Sequence, residues 1–296
     1  MFVDLCILTS VILWGAWGIF EKKALESSTP KDVAVVLYIL NVAFIPLLLS
    51  VLQIFEPGWS LSAELIFWSG VSSCGYAIAV VSYLAVLKRV DVSYVIGSTA
   101  SYPVVAIFLA TVFLGEPIVG VRLFGAALVA LGVFLIGRTK MSANDNEFSA
   151  KTKTFLTFCL VTTTFAFGLR GVVDKLAVSC GTPLTVMFAN YLWSIVFGVI
   201  VFLIFKKQKH QFHLKNKRAN FFCLLSSFCL TIGGLSYLTA MMHCPVSYVV
   251  GITSIYPLVM YFLALVFLKE QFSPARLSGI SIIVLGALLL QITRSL

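Results

Sequence analysis

Long apolar runs, separated by short polar segments, make up most of the chain. They cover residues 3–24, 33–55, 63–87, 92–114, 119–137, 154–178, 184–205, 219–242, 246–268 and 274–293. A helix needs about 20 mostly apolar residues to cross the hydrocarbon core of a bilayer, and most of these runs reach that length. The pattern therefore predicts an all-α, polytopic membrane protein with ten transmembrane helices.

One of these runs occurs twice in nearly the same form. The segment "VSYVIGSTASYPVVAIFLATVFLGE" begins at Val92, and "VSYVVGITSIYPLVMYFLALVFLKE" begins at Val246. Residues 92–136 and 246–290 align without a gap, and 22 of these 45 positions are identical. A match of this length, at a constant offset, indicates an internal duplication.

The duplication extends toward the start of each half. Tyr83 matches Tyr237 at the same offset, and Lys22 matches Lys175 at an offset that is one residue shorter. Each half then contains five of the apolar runs. The predicted organisation is a first five-helix repeat at 1–137, a polar linker at 138–153 and a second five-helix repeat at 154–296.

An odd number of spans in each half has a geometric consequence. The second half must enter the membrane from the side opposite to the first, so the two halves are expected to be inverted repeats. Many transporters are built in this way, with the substrate site near the bilayer midplane between the repeats. A receptor or a membrane anchor has no evident need for this symmetry, so the pattern favours a transporter.

Composition agrees with a membrane protein and excludes several other classes. The chain is 60% hydrophobic and 11% charged, whereas soluble domains are about 45–50% apolar and about 25% charged. The seven cysteines are scattered, and the sequence contains no CxxC, Walker A or HExxH motif. We therefore expect no metal, no cofactor and no enzymatic activity.

The net charge of +9 is distributed unevenly. Lys and Arg number 17 in the loops that follow the odd-numbered runs and 4 on the other side. Basic residues mark cytoplasmic loops in membrane proteins, so this distribution predicts a lipid environment rather than a nucleic acid partner. It places the odd loops in the cytoplasm and both termini outside. The expected location is the bacterial inner (plasma) membrane.

Several of these features resemble the EamA-type transporters of the drug/metabolite transporter superfamily. They are the "WG" of the first run, the Tyr- and Ser-rich fourth run that ends in "FLGE", and the glycine-spaced fifth run. The resemblance covers nearly the whole chain. It implies secondary transport without ATP, with helices 1, 3, 4, 6, 8 and 9 around a cavity and helices 5 and 10 outside it. It also implies cytoplasmic termini, which disagrees with the loop charges.

The repeated run carries polar residues that share one helix face. On an uninterrupted helix the spacing brings together Tyr94, Ser98, Ser101 and Tyr102, and in the second copy Tyr248 and Tyr256. Polar groups that face lipid are costly, so we expect this face to point into the bundle. Pro103 and Pro257 each free a carbonyl, that of Thr99 or Thr253. These prolines are expected to form kinks, and the freed carbonyls either bind substrate or have only a structural role.

Arg170 lies deep in the sixth run, four residues before Asp174. This spacing lets the two side chains meet on one helix face. Arg170 either presents its planar guanidinium to a carboxylate or phosphate of the substrate, or pairs with Asp174 and extends toward the membrane interface. At the matching positions of the first run stand Trp17 and Glu21. An aromatic side chain opposite a cation fits an amphipathic ligand such as an amino acid.

The remaining candidates for the cavity are aromatic, and packing roles explain them equally well. The full set of predicted substrate-binding residues is Trp14, Trp17, Tyr76, Tyr83, Tyr94, Ser98, Ser101, Tyr102, Arg170, Asp174, Tyr237, Tyr248, Thr253 and Tyr256. The pairs Glu116–Arg122 and Glu270–Arg276 are expected to be ion pairs of the loops.

The sequence thus predicts a secondary transporter that moves a small polar or amphipathic metabolite by alternating access. An amino acid-like substrate is the first expectation. The alternatives are an exchanger of the sugar-phosphate or nucleotide-sugar type, which calls for more than one cation in the cavity, and a membrane scaffold without transport. The expected partners are the small-molecule substrate and membrane lipid, in a monomer or a homodimer.

Overall fold

A computed structural model describes residues 2–115, 120–141 and 148–291, and every helix or strand assigned within them is a helix. The helices are α1 (Phe2–Ser27), α2 (Pro30–Phe55), α3 (Ala63–Leu87), α4 (Val92–Thr99), α5 (Tyr102–Leu114), α6 (Gly120–Gly137), α7 (Ala150–Ser179), α8 (Pro183–Lys207), α9 (Lys217–His243), α10 (Val246–Thr253), α11 (Tyr256–Phe267) and α12 (Pro274–Gln291). The all-α prediction is confirmed for this part of the chain.

Eight segments in the described ranges are long and apolar enough to cross a membrane. Six of them are the single helices α1, α2, α3, α7, α8 and α9, and the other two are the consecutive pairs α4–α5 and α10–α11. Shorter apolar helical stretches lie at Phe124–Ile136 and Pro274–Leu289. The protein is therefore an integral, multi-pass membrane protein.

The two halves use the same local chemistry to begin their second helix. The Thr29 hydroxyl accepts a hydrogen bond from the Asp32 backbone N–H, and Pro30 occupies the first helical position of α2. Thr182 does the same for α8, ahead of Pro183. A hydroxyl at the N-cap satisfies a backbone donor that the helix leaves unpaired, and proline at the next position needs no such partner.

The repeated run forms two helices rather than one kinked helix, which corrects the sequence prediction. α4 ends at Thr99 and α5 begins at Tyr102, so Pro103 lies in the first turn of the second helix. The break between α10 and α11 is equivalent, with Pro257 in the first turn of α11. Proline is tolerated in a first turn because its missing N–H would have no helical partner there. The break consequently falls just before each proline.

Helices of one half pack mainly against helices of the other. α1 lies against α9 and α11, and α7 lies against α3 and α5. α2 packs on α8, and α6 packs on α12. Glycines make the closest contacts: a Cβ on Gly132 would come within 2.6 Å of the Gly279 carbonyl oxygen, and one on Gly286 within 2.6 Å of the Gly125 carbonyl oxygen. Small residues let helix backbones approach in this way.

Arg276 at the start of α12 is buried, and its contacts extend the predicted loop ion pair. Its guanidinium lies 3.9 Å from Glu270 and donates to Asp91 at 2.9 Å and to Ser93 at 2.7 Å. The Glu270 carboxylate in turn accepts a hydrogen bond of 2.6 Å from the backbone N–H of Val92. This cluster ties the second half to the first turn of α4. Glu116 and the side chain of Arg122 lie outside the described residues.

Candidate functional site

A cavity of about 130 Å³ lies inside the bundle, and both halves of the chain line it. Its walls come from α1, α2, α3 and α5 of the first half and from α7, α8, α9 and α11 of the second. The lining combines aromatic rings, amides, hydroxyls, two carboxylates (Glu21 and Asp174) and one guanidinium (Arg170). A buried space with so many polar groups is suited to a polar solute.

The structure brings most of the predicted site residues together at this cavity. Those that line it are Trp14, Trp17, Tyr76, Tyr83, Tyr102, Arg170, Asp174, Tyr237 and Tyr256. Those that lie elsewhere are Tyr94, Ser98, Ser101, Tyr248 and Thr253. The predictions for Tyr94, Ser98, Ser101 and Tyr248 depended on one uninterrupted helix, whereas the helices end at Thr99 and Thr253. Thr253 was predicted because Pro257 was expected to free its carbonyl.

The residues outside the cavity have other contacts. The Tyr248 hydroxyl donates to the Asp4 carboxylate at 3.3 Å. Thr253 donates to the Val249 carbonyl at 2.8 Å, within its own helix, and its hydroxyl lies 3.4 Å from that of Tyr102. Thr253 therefore supports a cavity residue from behind rather than lining the space itself.

Arg170 is held by only one of its nitrogens. Its Nε lies 3.2 Å from the Ser72 hydroxyl and 3.5 Å from the Asp174 carboxylate. Ser72 itself donates to Asp174 at 2.5 Å. The guanidinium carbon lies 5.2 Å above the ring of Tyr76. About a third of the Arg170 side chain is exposed, and no described residue hydrogen-bonds its two terminal amino groups. They remain available for a ligand.

Glu21 is the important residue that sequence reasoning did not include. It is 1% exposed, lines the cavity, and accepts a hydrogen bond of 3.0 Å from Ser226 on α9. Its second oxygen, Oε2, has no partner among the described residues. Only its alignment with Asp174 could have identified it from the sequence, because Glu21 lies near the predicted end of the first span.

Aromatic rings form a continuous wall along the cavity. Trp14 lies 4.9 Å from Tyr237 and 6.1 Å from Tyr256 between ring centroids. Trp17 lies 5.6 Å from Tyr83 and 5.7 Å from Tyr256. These distances are typical of favourable aromatic pairs. The wall provides an apolar surface within the cavity.

Four polar atoms of the lining are buried without a hydrogen-bond partner among the described residues. They are Trp14 Nε1, Glu21 Oε2, Tyr83 Oη and Asn190 Nδ2. Unpaired polar groups of this kind are uncommon in folded proteins because burying them costs free energy. Their concentration at one cavity indicates that water or a polar solute completes their hydrogen bonding. Within the same described ranges, no three His, Cys, Asp or Glu side chains are placed to hold a metal ion.

Together, the membrane-length helices and the buried, charged cavity define a multi-pass membrane protein that can enclose a small solute. The model of the EamA-like transporter family matches residues 1–138 and 154–292. The chain therefore belongs to this family of transporters.

Two further comparisons agree with this assignment. A protein of Archaeoglobus fulgidus that is described as an uncharacterized transporter is 28% identical over 287 residues, which span 96% of this chain and 95% of that one. One solved crystal structure aligns with a TM-score of 0.71 over 98% of both chains. Its identity is 12%, so it shows similarity of fold alone.

Proposed function

We propose that the protein is a secondary transporter that moves a small polar or amphipathic metabolite by alternating access, with an amino acid-like solute as the first candidate. The observation that carries this proposal is the arrangement of Arg170. Its Nε is fixed by Ser72 and Asp174, while its terminal amino groups lie at a cavity that both halves line. Arg170 then binds the carboxylate of the solute through paired, charge-assisted hydrogen bonds.

Contacts between the halves support an inverted repeat of two five-helix units. The packing of α1 on α9 has its counterpart in the packing of α7 on α3. At the residue level, a Cβ on Gly15 would meet Val259 at 2.5 Å, and one on Gly168 would meet Val105 at 2.5 Å. The family model also matches each half separately. With α6 and α12 counted as spans, the protein has ten transmembrane helices and two symmetric halves, the construction that alternating access requires.

The bundle end that carries the basic loops provides the contacts that such a motion would break. His210 Nε2 lies 3.0 Å from the Asp32 carboxylate, and Arg218 lies 3.0 Å from Glu26. One pair joins the start of α2 to the loop between α8 and α9, and the other joins the end of α1 to the first turn of α9. Opening the cavity toward this end requires these contacts between the halves to separate, whereas opening toward the other end leaves them intact.

Cavity size and charge favour an amino acid over a nucleotide sugar. Sites for drug-sized ligands typically measure about 300–1,000 Å³, whereas this cavity measures about 130 Å³. Among the lining residues, Arg170 is the one cation. A phosphorylated sugar carries more negative charge and more volume than this site accommodates. The aromatic wall of Trp14 and Trp17 then contacts the apolar part of the solute.

The proposal is tested by ligand binding and by flux. We expect one or more of the twenty protein L-amino acids to raise the melting temperature of the purified protein, because a ligand that binds the native state stabilises it. The same amino acid should accumulate in proteoliposomes that contain the protein, and not in empty liposomes. UDP-glucose and glucose 6-phosphate serve as probes of the exchanger alternative. Flux of either of these without flux of an amino acid contradicts the proposal, and no flux of any probe supports a scaffold.

The proposed location is the plasma membrane of a bacterium, with the basic loops in the cytoplasm. The densest basic segment lies between α8 and α9, where residues 206–218 read "KKQKHQFHLKNKR". Such segments remain on the cytoplasmic side during insertion. Both termini are then outside the cell.

A further inference from the structure

We propose that Glu21 is a cation subsite of the cavity, which binds the ammonium group of a solute whose carboxylate contacts Arg170. The inference rests on the proposed function and deepens it, because it limits the solute to a zwitterion that carries both groups. It begins with a comparison of two equivalent carboxylates.

The same carboxylate–serine pair occurs once in each half. Ser72 donates to Asp174 at 2.5 Å, and Ser226 donates to Glu21 at 3.0 Å. Both carboxylates are almost fully buried and both line the cavity. The scaffold therefore places two acids in equivalent surroundings, with one hydrogen bond from a serine of the opposite half to each.

Within the described ranges, a positively charged side chain lies beside Asp174 but not beside Glu21. Arg170, four residues before Asp174, lies 3.5 Å from its carboxylate. The residue four positions before Glu21 is Trp17, which carries no charge. No Lys, Arg or His of the described residues forms an ion pair with Glu21. Its Oε2 is moreover buried without a hydrogen-bond partner within the part of the chain that the structure describes.

The lysine next to Glu21 is committed elsewhere. Lys22 donates to the carbonyl oxygens of Leu87 and Val90, at 2.6 Å each. These are carbonyls at the C-terminal end of α3 and the turn after it, where a lysine is a favourable partner. Lys22 is thus held away from the carboxylate, and a charged Glu21 would require a cation from outside the protein.

The surroundings of Glu21 suit an ammonium group. Trp14 and Trp17 line the same cavity, and the faces of tryptophan rings attract organic cations. The free Oε2 provides the acceptor for an N–H donor.

Two small organic ions, propylammonium and propionate, test the cation and anion subsites one at a time, without knowledge of the natural solute. We expect n-propylammonium chloride to raise the melting temperature of the wild-type protein in detergent more than NaCl at equal ionic strength. Glu21→Gln keeps the size of the side chain and removes its charge. It should weaken propylammonium binding about 10- to 100-fold, the loss expected for one charge-assisted hydrogen bond. Sodium propionate should bind Arg170, and its stabilising effect should survive in Glu21→Gln.

Control variants keep the test decisive. Glu26→Gln removes an exposed carboxylate five residues further along α1 and should leave the propylammonium effect unchanged. If Glu21→Gln does not fold, Glu21→Asp replaces it: the shortened carboxylate should keep a weaker propylammonium effect. Size-exclusion chromatography establishes that each variant is folded and monodisperse.

The outcomes distinguish this inference from the proposed function. Three outcomes would overturn the cation subsite. If propylammonium does not stabilise the wild type, Glu21 is simply protonated. If NaCl stabilises the wild type as much as propylammonium does, an inorganic cation binds there. If propylammonium stabilises Glu21→Gln as much as the wild type, Glu21 does not bind it. If propionate does not stabilise the wild type while propylammonium does, the role of Arg170 in the proposed function is contradicted and Glu21 remains the cation subsite.

Discussion

α1 and α7 occupy equivalent places in the two halves, yet among the described residues only α7 pairs its cavity carboxylate with a cation. Both helices place a serine-bonded carboxylate at the cavity, as Glu21 and Asp174. Arg170 accompanies the second, and Trp17 stands in its place beside the first. The serine–carboxylate pair is shared by the two halves, whereas the neighbouring charge differs. Under the proposed function, this difference in charge decides which group of the solute binds beside each carboxylate.

We expect the largest effect of a substitution on folding where backbone atoms of the two halves touch. Gly132→Leu should abolish folding, because even a Cβ at this position would come within 2.6 Å of the Gly279 carbonyl oxygen and a backbone atom cannot move aside cheaply. Gly120→Ala is the control, since nothing lies within 4 Å of a Cβ there. The measurement is the yield of monodisperse protein and its melting temperature. Wild-type yield and stability of Gly132→Leu would show that α6 and α12 do not pack as described.

Removal of the arginine should make α7 resemble α1 in charge. Arg170→Ala is expected to weaken binding of propionate about 10- to 100-fold, the value of one charge-assisted contact. Arg170→Lys should restore part of the affinity, because lysine keeps the charge and loses the planar guanidinium. The measurement is a thermal-shift titration. The double variant Arg170→Ala with Asp174→Ala removes the unpaired acid. If this variant folds and binds propionate with wild-type affinity, Arg170 is structural.

The reverse change should make α1 resemble α7. Trp17→Arg introduces a cation four residues before Glu21, a spacing at which the two side chains meet on a helix. Because the new pair would occupy the carboxylate, propylammonium affinity should fall about 10-fold or more, in line with the loss of one charge-assisted contact. Propionate binding should persist in the same titrations. Trp17→Phe is the matched control, as it removes the indole and adds no charge. Undiminished propylammonium binding in Trp17→Arg would argue against Glu21 as the subsite.

The lysines should behave alike in the two halves because their contacts are alike. Lys22 donates to two carbonyls at the end of α3, and Lys175 donates to the carbonyls of Met241 and Cys244 at 2.6 and 3.1 Å. Lys22→Met and Lys175→Met should each reduce stability by about 1–3 kcal/mol, the cost of leaving buried acceptors unpaired. Melting temperatures test this, with exposed Lys151→Met as the control. A large effect of one lysine and none of the other would show that this contact is not shared.

The substitutions with the smallest expected effect on stability test which end of the bundle faces the cytoplasm. In a background without reactive native cysteines, Gln208→Cys and Ser149→Cys should resist an impermeant thiol reagent in intact cells. Ser60→Cys, at the opposite end of the bundle, and a cysteine at the C-terminus should react. Ser60, Ser149 and Gln208 are exposed, so these three positions should tolerate the change with nearly unchanged stability. The reverse labelling pattern would place the termini in the cytoplasm, as the family resemblance implies.

Sequence periodicity predicted most of the fold because membrane spans depend on local composition. The apolar runs agree with the helices within a few residues, and the depth of Arg170 in its run identified a cavity residue. The breaks after Thr99 and Thr253 were not predicted, because the position of a break depends on how the flanking turns pack. Glu21 was missed for a related reason: its hydrogen-bond partner, Ser226, lies 205 residues away in the chain.

In the contact between α6 and α12, Gly132 meets the backbone of Gly279, and Gly286 meets the backbone of Gly125. Gly279 and Gly286 are the copies of Gly125 and Gly132 in the second half. Gly132 therefore meets the copy of Gly125, and the copy of Gly132 meets Gly125 itself. A surface that is complementary to itself is what joins two identical subunits about a two-fold axis. A gene that encoded only one half could therefore have yielded a symmetric dimer. Fusion of two copies through the polar linker would then preserve an interface that already existed.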